Sequence, residues 1–187
     1  MKIILSEDIW TFDLEAGLRE ISEQRRQQAL KFKHELGQRL CVLAYQLLKQ
    51  ALNEAYGITE DPVFEYNEHG KPFIVGHPEI FFNLSHCKEA VVCAIHDQPI
   101  GVDVESIREY KEALVLYTMN DEEIHEIESS GNPAAAFIRL WTMKEATMKL
   151  IGTGISNDMK TVIDTRHYEY ITVEKNRYVY TVCTQRD

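Results

Sequence analysis

The four cysteines of this 187-residue chain, Cys41, Cys87, Cys93 and Cys183, form no CxxC pair. Taken with His69, His77, His86 and His96 they match no zinc-ligand spacing. Free thiols in a reducing cytoplasm are therefore expected, without disulfides. No apolar run approaches the roughly 20 residues of a membrane helix, so none is predicted. The apolar start Met1-Lys2-Ile3-Ile4-Leu5 meets Ser6-Glu7-Asp8 at once, too soon for a signal-peptide core, and reads as a first strand. Internal repeats and low-complexity linkers are absent by inspection. The upstream glycines of a P-loop are missing too: Gly70-Lys71-Pro72 stands alone as a turn. Positive charge is scarce, 20 Lys and Arg against 30 Asp and Glu, and the net charge of -10 argues against duplex nucleic acid as a partner.

What is present suits a globular chain. The 44% hydrophobic content reads as globular, and 187 residues are enough for one large domain or two small lobes. Charge is uneven: residues 19–50 hold seven Lys or Arg (Arg19, Arg25, Arg26, Lys31, Lys33, Arg39, Lys49) against three Glu. Most of these fit a solvated helix face; a few would suit an anion site.

Periodicity and capping predict the elements. Leu36, Leu40, Leu43, Leu47, Leu48 and Leu52 recur at helical spacing across 34–56, and Gly57 supplies the stop. Ser22 is placed to cap a shorter helix through Arg25-Arg26. Strands are expected at Val63–Tyr66, Pro72–Val75, Phe81–Leu84, Ala90–Ile95 and Ile100–Val104. Asn120 and Glu123 have capping-box spacing, with Gly131 closing that helix. Asn132-Pro133 opens another that runs to Gly152. Tyr168–Glu174 and Tyr178–Cys183 flank a turn at Lys175-Asn176-Arg177. The mixture reads as α+β, with two lobes possible.

Two stretches carry the chemistry. Ile100-Gly101-Val102-Asp103-Val104-Glu105 puts two carboxylates on one face of a strand, since Asp103 and Glu105 are two apart. Like charges at adjacent same-face positions repel, and a bound cation would offset that cost; solvent exposure is the plainer alternative. Trp141-Thr142-Met143-Lys144-Glu145-Ala146-Thr147-Met148-Lys149 puts Trp141, Glu145 and Lys149 on one helical stripe. A Trp on that stripe wants burial, which sets Glu145 and Lys149 at the edge of a core, where a cleft can form. Lys144 lies on a neighbouring face, as a rim cation or toward solvent. Oxygen ligands of this kind suit a hard cation such as Mg2+, which usually accompanies a phosphate substrate. Ser85 and His86 are adjacent on a strand and so point apart, a poor nucleophile–base pair. At a strand end both can still reach a phosphate.

Together these pieces resemble the Sfp-type 4′-phosphopantetheinyl transferase family. The resemblance runs in order through Arg39, Gly70-Lys71-Pro72, Phe82-Asn83-Leu84-Ser85-His86, Gly101-Val102-Asp103-Val104-Glu105, and Trp141-x-x-Lys144-Glu145-Ala146-x-x-Lys149 with Gly152-x-Gly154. It spans about residues 20–160. It implies an α+β fold of two similar, pseudo-twofold-related lobes, 1–98 and 99–187, with the active site between them. It implies transfer of the 4′-phosphopantetheine arm of coenzyme A (CoA) to a serine of an apo acyl or peptidyl carrier protein, with release of 3′,5′-ADP. Asp103, Glu105 and Glu145 would hold Mg2+, and Lys149 would contact the pyrophosphate. Arg39, Ser85 and His86 would meet the 3′-phosphate end of CoA, with Lys71 and Pro72 beside the adenine and Lys144 as a further cation toward CoA. Which of Arg25, Arg26, Lys31 and Lys33 joins them stays open. The carrier serine needs a base: Glu145, or a metal-bound water relayed by Glu105. Both lobes in one chain imply a monomer, and the free cysteines, negative charge and missing membrane-length run add a cytoplasmic location without nucleic-acid or membrane partners.

Two other readings fit the same residues. One is a different Mg2+-dependent enzyme that cleaves a nucleoside diphosphate. The other is a non-catalytic protein that binds CoA or a carrier. The joint presence of Asp103, Glu105, Glu145 and Lys149 counts against the latter.

Overall fold

The computed structural model describes residues 1–152 and 159–186 of the chain. The expected Gly154 of the Gly152-x-Gly154 pair lies outside the described residues. In chain order the elements are β1 (Lys2–Ser6), α1 (Leu14–Glu20), α2 (Glu23–Leu30), α3 (Glu35–Tyr56), β2 (Phe64–Tyr66), β3 (Pro72–Ile74) and β4 (Phe81–His86). They continue through β5 (Val91–His96), β6 (Ile100–Ser106), α4 (Glu112–Thr118), α5 (Asp121–Ser129), α6 (Pro133–Ile151), β7 (Tyr168–Glu174) and β8 (Tyr178–Gln185). The class is α+β, as expected.

Local chemistry sets most boundaries. Ser22 Oγ accepts from the Arg25 amide, and Gly57 and Gly152 close α3 and α6 in the left-handed conformation that favours glycine. Asn120 and Glu123 form both bonds of the capping box, although α5 ends at Ser129, just before the expected Gly131. Asn132 caps α6 with Pro133 in its first turn.

Each half of the chain repeats one connection pattern. In the first, β1-β5-β4 form an antiparallel sheet covered by α3. In the second, β6-β8-β7 form an antiparallel sheet carrying α6. In both, a strand leads through a long helix to a hairpin whose second strand pairs back onto the first. The leucines of α3 bury against Val91, Cys93 and Ile95, each fully buried side chain contributing roughly 1.5–3 kcal/mol. The opposite face of β5, through Val92 and Ala94, packs on Ile100, Val102 and Val104 of β6, and so joins the two sheets in one core.

At that joint β4 meets β6 through side chains. Asn83 Oδ1 accepts the Val102 N–H at 3.0 Å, and Ser85 Oγ accepts the Val104 N–H at 3.2 Å. Two residues at i and i+2 on β4 thus answer two at i and i+2 on β6. Helix α6 lies so close on β6 that a Cβ on Gly101 would fall 1.9 Å from the Ala146 carbonyl oxygen. Among the described residues no helix is long and apolar enough to cross a membrane.

Candidate active site

Strand β6, the end of β4 and the last three turns of α6 surround a cleft of about 320 Å³, lined by Ser85, His86, Asp103, Glu105, Trp141, Glu145 and Lys149. The two face arguments made from spacing therefore point into one space. Asp103 and Glu105 enter from β6, and Trp141, Glu145 and Lys149 from α6. Trp141 is half-buried and stacks toward Phe137, with ring centroids 6.0 Å apart.

Asp103, Ser85 and Lys149 form the centre. Asp103 is only 4% exposed. Its Oδ1 accepts from Ser85 Oγ at 2.9 Å and from Lys149 Nζ at 2.7 Å. Lys149 also donates to Ser85 Oγ at 3.0 Å. The serine hydroxyl is thus committed to a structural and electrostatic network. Asp103 Oδ2, by contrast, is buried without a hydrogen-bond partner. A buried carboxylate oxygen left this way costs free energy unless something positive or hydrogen-bearing meets it.

The neighbouring carboxylates share that demand. Glu145 is held above the usual carboxylate range by burial and then by the charge of Asp103, with Glu105 adding to the effect and Lys149 opposing it. Glu105 is likewise raised by burial and by Asp103, against Arg108 and Lys149. Three carboxylates thus face Lys149, with Arg108 3.8 Å from Glu105 at the rim. Among the described residues no three His, Cys, Asp or Glu side chains converge into a ready metal cage. The donor chemistry nevertheless fits a hard divalent cation: oxygen ligands, excess negative charge and one orphaned oxygen.

A second pocket of about 290 Å³ adjoins this cleft through Leu84, Glu145 and Lys149 and reaches Lys71, Pro72 and Gly152. On the other side, an apolar groove of about 270 Å³ shares Glu105 and Trp141 with the cleft and continues past Arg108, Lys111 and Leu114. The three spaces therefore succeed one another, with the carboxylates in the middle.

The other expected site residues divide. His86 ends β4, exposed, and its ring is held below the ordinary imidazole value by partial desolvation, with Lys149 and Arg25 adding to the shift. Arg25, of the basic stretch, adds a minor part of that shift without lining the cleft. Its guanidinium lies 5.4 Å over the Tyr45 ring, and its buried Nε has no hydrogen-bond partner. Arg26 pairs with Glu23 instead.

Arg39 does not line the cleft. It bonds Glu35 and the carbonyls of Ile9 and Phe12, tying α3 to the segment after β1. Lys144 requires a correction. The rim or solvent position expected for it is overturned, because it is 0% exposed and its Nζ donates to Glu123 Oε1 and to the Met159 carbonyl, each at 2.7 Å. Burial opposes its charge and Glu123 supports it. It turns away from the cleft because it lies on the α6 face packed toward α5.

Sequence reasoning missed two contributors. Asn83 holds β4 to β6, and the Asn-x-Ser spacing was its only signal. The contact of Lys71 Nζ with the last turn of α6 joins residues far apart in the chain and left no local trace.

Residues 99–185 match the sequence model of the 4′-phosphopantetheinyl transferase superfamily. The chain is 34% identical over 139 residues to the 4′-phosphopantetheinyl transferase psf-1 of Bacillus pumilus, covering 73% of this chain and 60% of that protein. It is 31% identical over 138 residues to the transferase gsp of Aneurinibacillus migulanus, covering 72% and 57% respectively. To the transferase Sfp of Bacillus subtilis (strain 168) it is 28% identical over 139 residues, covering 73% and 62%. The matches thus span about three fifths of the length of these curated relatives. In sequence the chain is similar to 4′-phosphopantetheinyl transferases, the family whose motifs it resembles.

Proposed function

We propose that this chain transfers the 4′-phosphopantetheine arm of CoA to a serine hydroxyl of an apo acyl or peptidyl carrier protein, releasing 3′,5′-ADP. The observation that carries the reading is the buried, unpartnered Asp103 Oδ2 beside Glu105 and Glu145, with Lys149 at 2.7 Å on the other oxygen. Asp103, Glu105 and Glu145 would hold Mg2+, which when bound neutralises the diphosphate and the phosphate that leaves. Lys149 would turn its ammonium to the same diphosphate and steady the developing charge.

The order of the three spaces supports a direction for the substrates. The nucleotide end of CoA would lie in the pocket beside Lys71 and Pro72, with Ser85, His86 and Arg25 toward its 3′-phosphate. The acceptor would approach over the groove that carries Arg108 and Lys111. That groove is apolar, with Arg108 and Lys111 balanced by Glu105 and Glu109, so it is less acidic than the chain's net charge of -10 and opposes an acidic carrier less. Glu105 stands between cleft and groove, on the side from which the hydroxyl would arrive. Glu145 stands on the nucleotide side. Glu105, shared by cleft and groove, has the better position for accepting the serine proton, directly or through a metal-bound water, with Glu145 as the alternative base on the nucleotide side. The two halves, 1–98 and 99–187, would act as one unit in a monomer, since one chain supplies every side of the cleft, and the free thiols fit a reducing cytoplasm.

Mixing the protein with CoA, Mg2+ and a panel of apo carriers tests this by mass spectrometry. The expected result is a carrier heavier by one phosphopantetheine arm. Nucleotide release without carrier modification would favour a diphosphate-cleaving enzyme. Binding of CoA with neither product would leave a non-catalytic binding protein.

A further inference from the structure

Lys71 lies in the turn between β2 and β3. Asn67 Oδ1 accepts the backbone N–H groups of His69 and Lys71, at 3.0 and 2.8 Å, and Gly70 takes the positive φ that the turn needs. These short-range bonds aim the lysine across the joint between the halves. Its Nζ donates to the carbonyl oxygens of Lys149 at 2.7 Å and Leu150 at 2.9 Å. Both belong to the last turn of α6, where carbonyls have no intrahelical donor and the helix dipole is negative. The stem of Lys71 also covers Gly152, where a Cβ would meet its Cδ at 2.9 Å. A lysine from the first half of the chain therefore caps the helix that carries Lys149. Burial holds its amine below the usual lysine value.

We propose that Lys71 is a positioning residue: its ammonium fixes the last turn of α6 and so sets Lys149 against Asp103 and Ser85, and does not contact the phosphates of the nucleotide. The proposal rests on the reading that Lys149 faces the diphosphate. It separates two parts of Lys71: its stem lines the nucleotide pocket, while its charge serves protein carbonyls.

Lys71→Met keeps most of the stem and removes the ammonium. In the transfer assay kcat is expected to fall roughly 10- to 100-fold, as displacement of a positioned group does, with KM for CoA changed less than about threefold. In a Lys149→Ala background the same change should add little, because Lys71 acts through Lys149. Lys71→Arg should recover most of the activity. A raised KM with kcat intact, or full additivity with Lys149→Ala, would overturn the proposal and make Lys71 a direct ligand. Hydrogen exchange over residues 143–152 reads the capping without any substrate. Lys71→Met should lose protection there while circular dichroism shows a folded protein, and unchanged protection would overturn the capping. Failure of the parent chain to modify any carrier would instead refute the proposed activity, and the exchange result would still decide the role of Lys71.

Discussion

Replacing Gly101 by alanine tests whether the close seat of α6 on β6 builds the cleft. The added Cβ would lie 1.9 Å from the Ala146 carbonyl oxygen and 2.6 Å from the Leu150 amide nitrogen. Both obstacles are helix backbone, which cannot swing aside as a side chain does. Ordinary contact begins at 3.4 Å, so α6 must retreat locally by about 1.5 Å in a close-packed interior. The same turns carry Glu145 and Lys149. A retreat of that size would stretch the 2.7 Å Lys149–Asp103 bond to about 4 Å, past hydrogen-bonding range. Overpacking of this kind costs about 1–3 kcal/mol. For a chain of this length the corresponding loss in Tm is about 2–12 °C. Transfer should fall by about 100-fold, the effect of an ångström of misplacement at reacting groups. Gly131→Ala is the control, since nothing lies within 4 Å of a Cβ there and its φ is not positive. Thermal melts and carrier-modification rates of both variants decide the matter. A Gly101→Ala protein with parental Tm and parental rate would refute the claim that helix–strand contact sets the site.

Three further outcomes are expected. Asp103→Ala should lower transfer by roughly 1,000-fold or more yet leave the protein folded, because lost bonds to Ser85 and Lys149 are offset by relief of Glu105 and Glu145; near-normal turnover would remove Asp103 from the mechanism. In metal-free protein the raised Glu105 and Glu145 make the folded state bind more protons than the unfolded state above the ordinary value of 4.5, so their contribution to stability falls as pH rises through the folded values. Millimolar Mg2+ needs the ionised carboxylates and should raise Tm increasingly over the same rise in pH, and not in Asp103→Ala; a pH-independent or absent Mg2+ shift in differential scanning fluorimetry would contradict the assigned ligands. Lys144→Met strands Glu123 without its partner and should cost about 3–5 kcal/mol, seen as a lower Tm with KM for CoA unmoved; an unchanged Tm with a raised KM would restore the rim role.

The residues that were legible in sequence and those that were not differ in the reach of what determines them. Caps are local, so Ser22, Asn120 with Glu123, Asn132 with Pro133, and the glycines at 57 and 152 announced their helices. Helices α1 and α4 escaped notice because each is seven residues long, and α4 has no side-chain cap to mark its start. Period and face are nearly as local. Spacing of two on the strand grouped Asp103 with Glu105, and spacing of four on the helix grouped Trp141, Glu145 and Lys149; the close seat of α6 on β6 brings the two groups to one cleft. The destination of a cation is another kind of property. Lys144 and Lys149 flank Glu145 on one helix, and no pattern says which charge is spent inside the protein. Packing decides: α5 presents Glu123 to one, while β6 presents Asp103 to the other. Lys71 follows the same logic, since backbone carbonyls distant in sequence take up its charge, and Arg39 divides its charge between such carbonyls and the nearby Glu35. A basic residue in the right motif therefore names a ligand contact only after its protein partners are counted. The count singles out Asp103, whose second oxygen is buried and unmatched, as the place where the fold leaves an interaction for something else to complete.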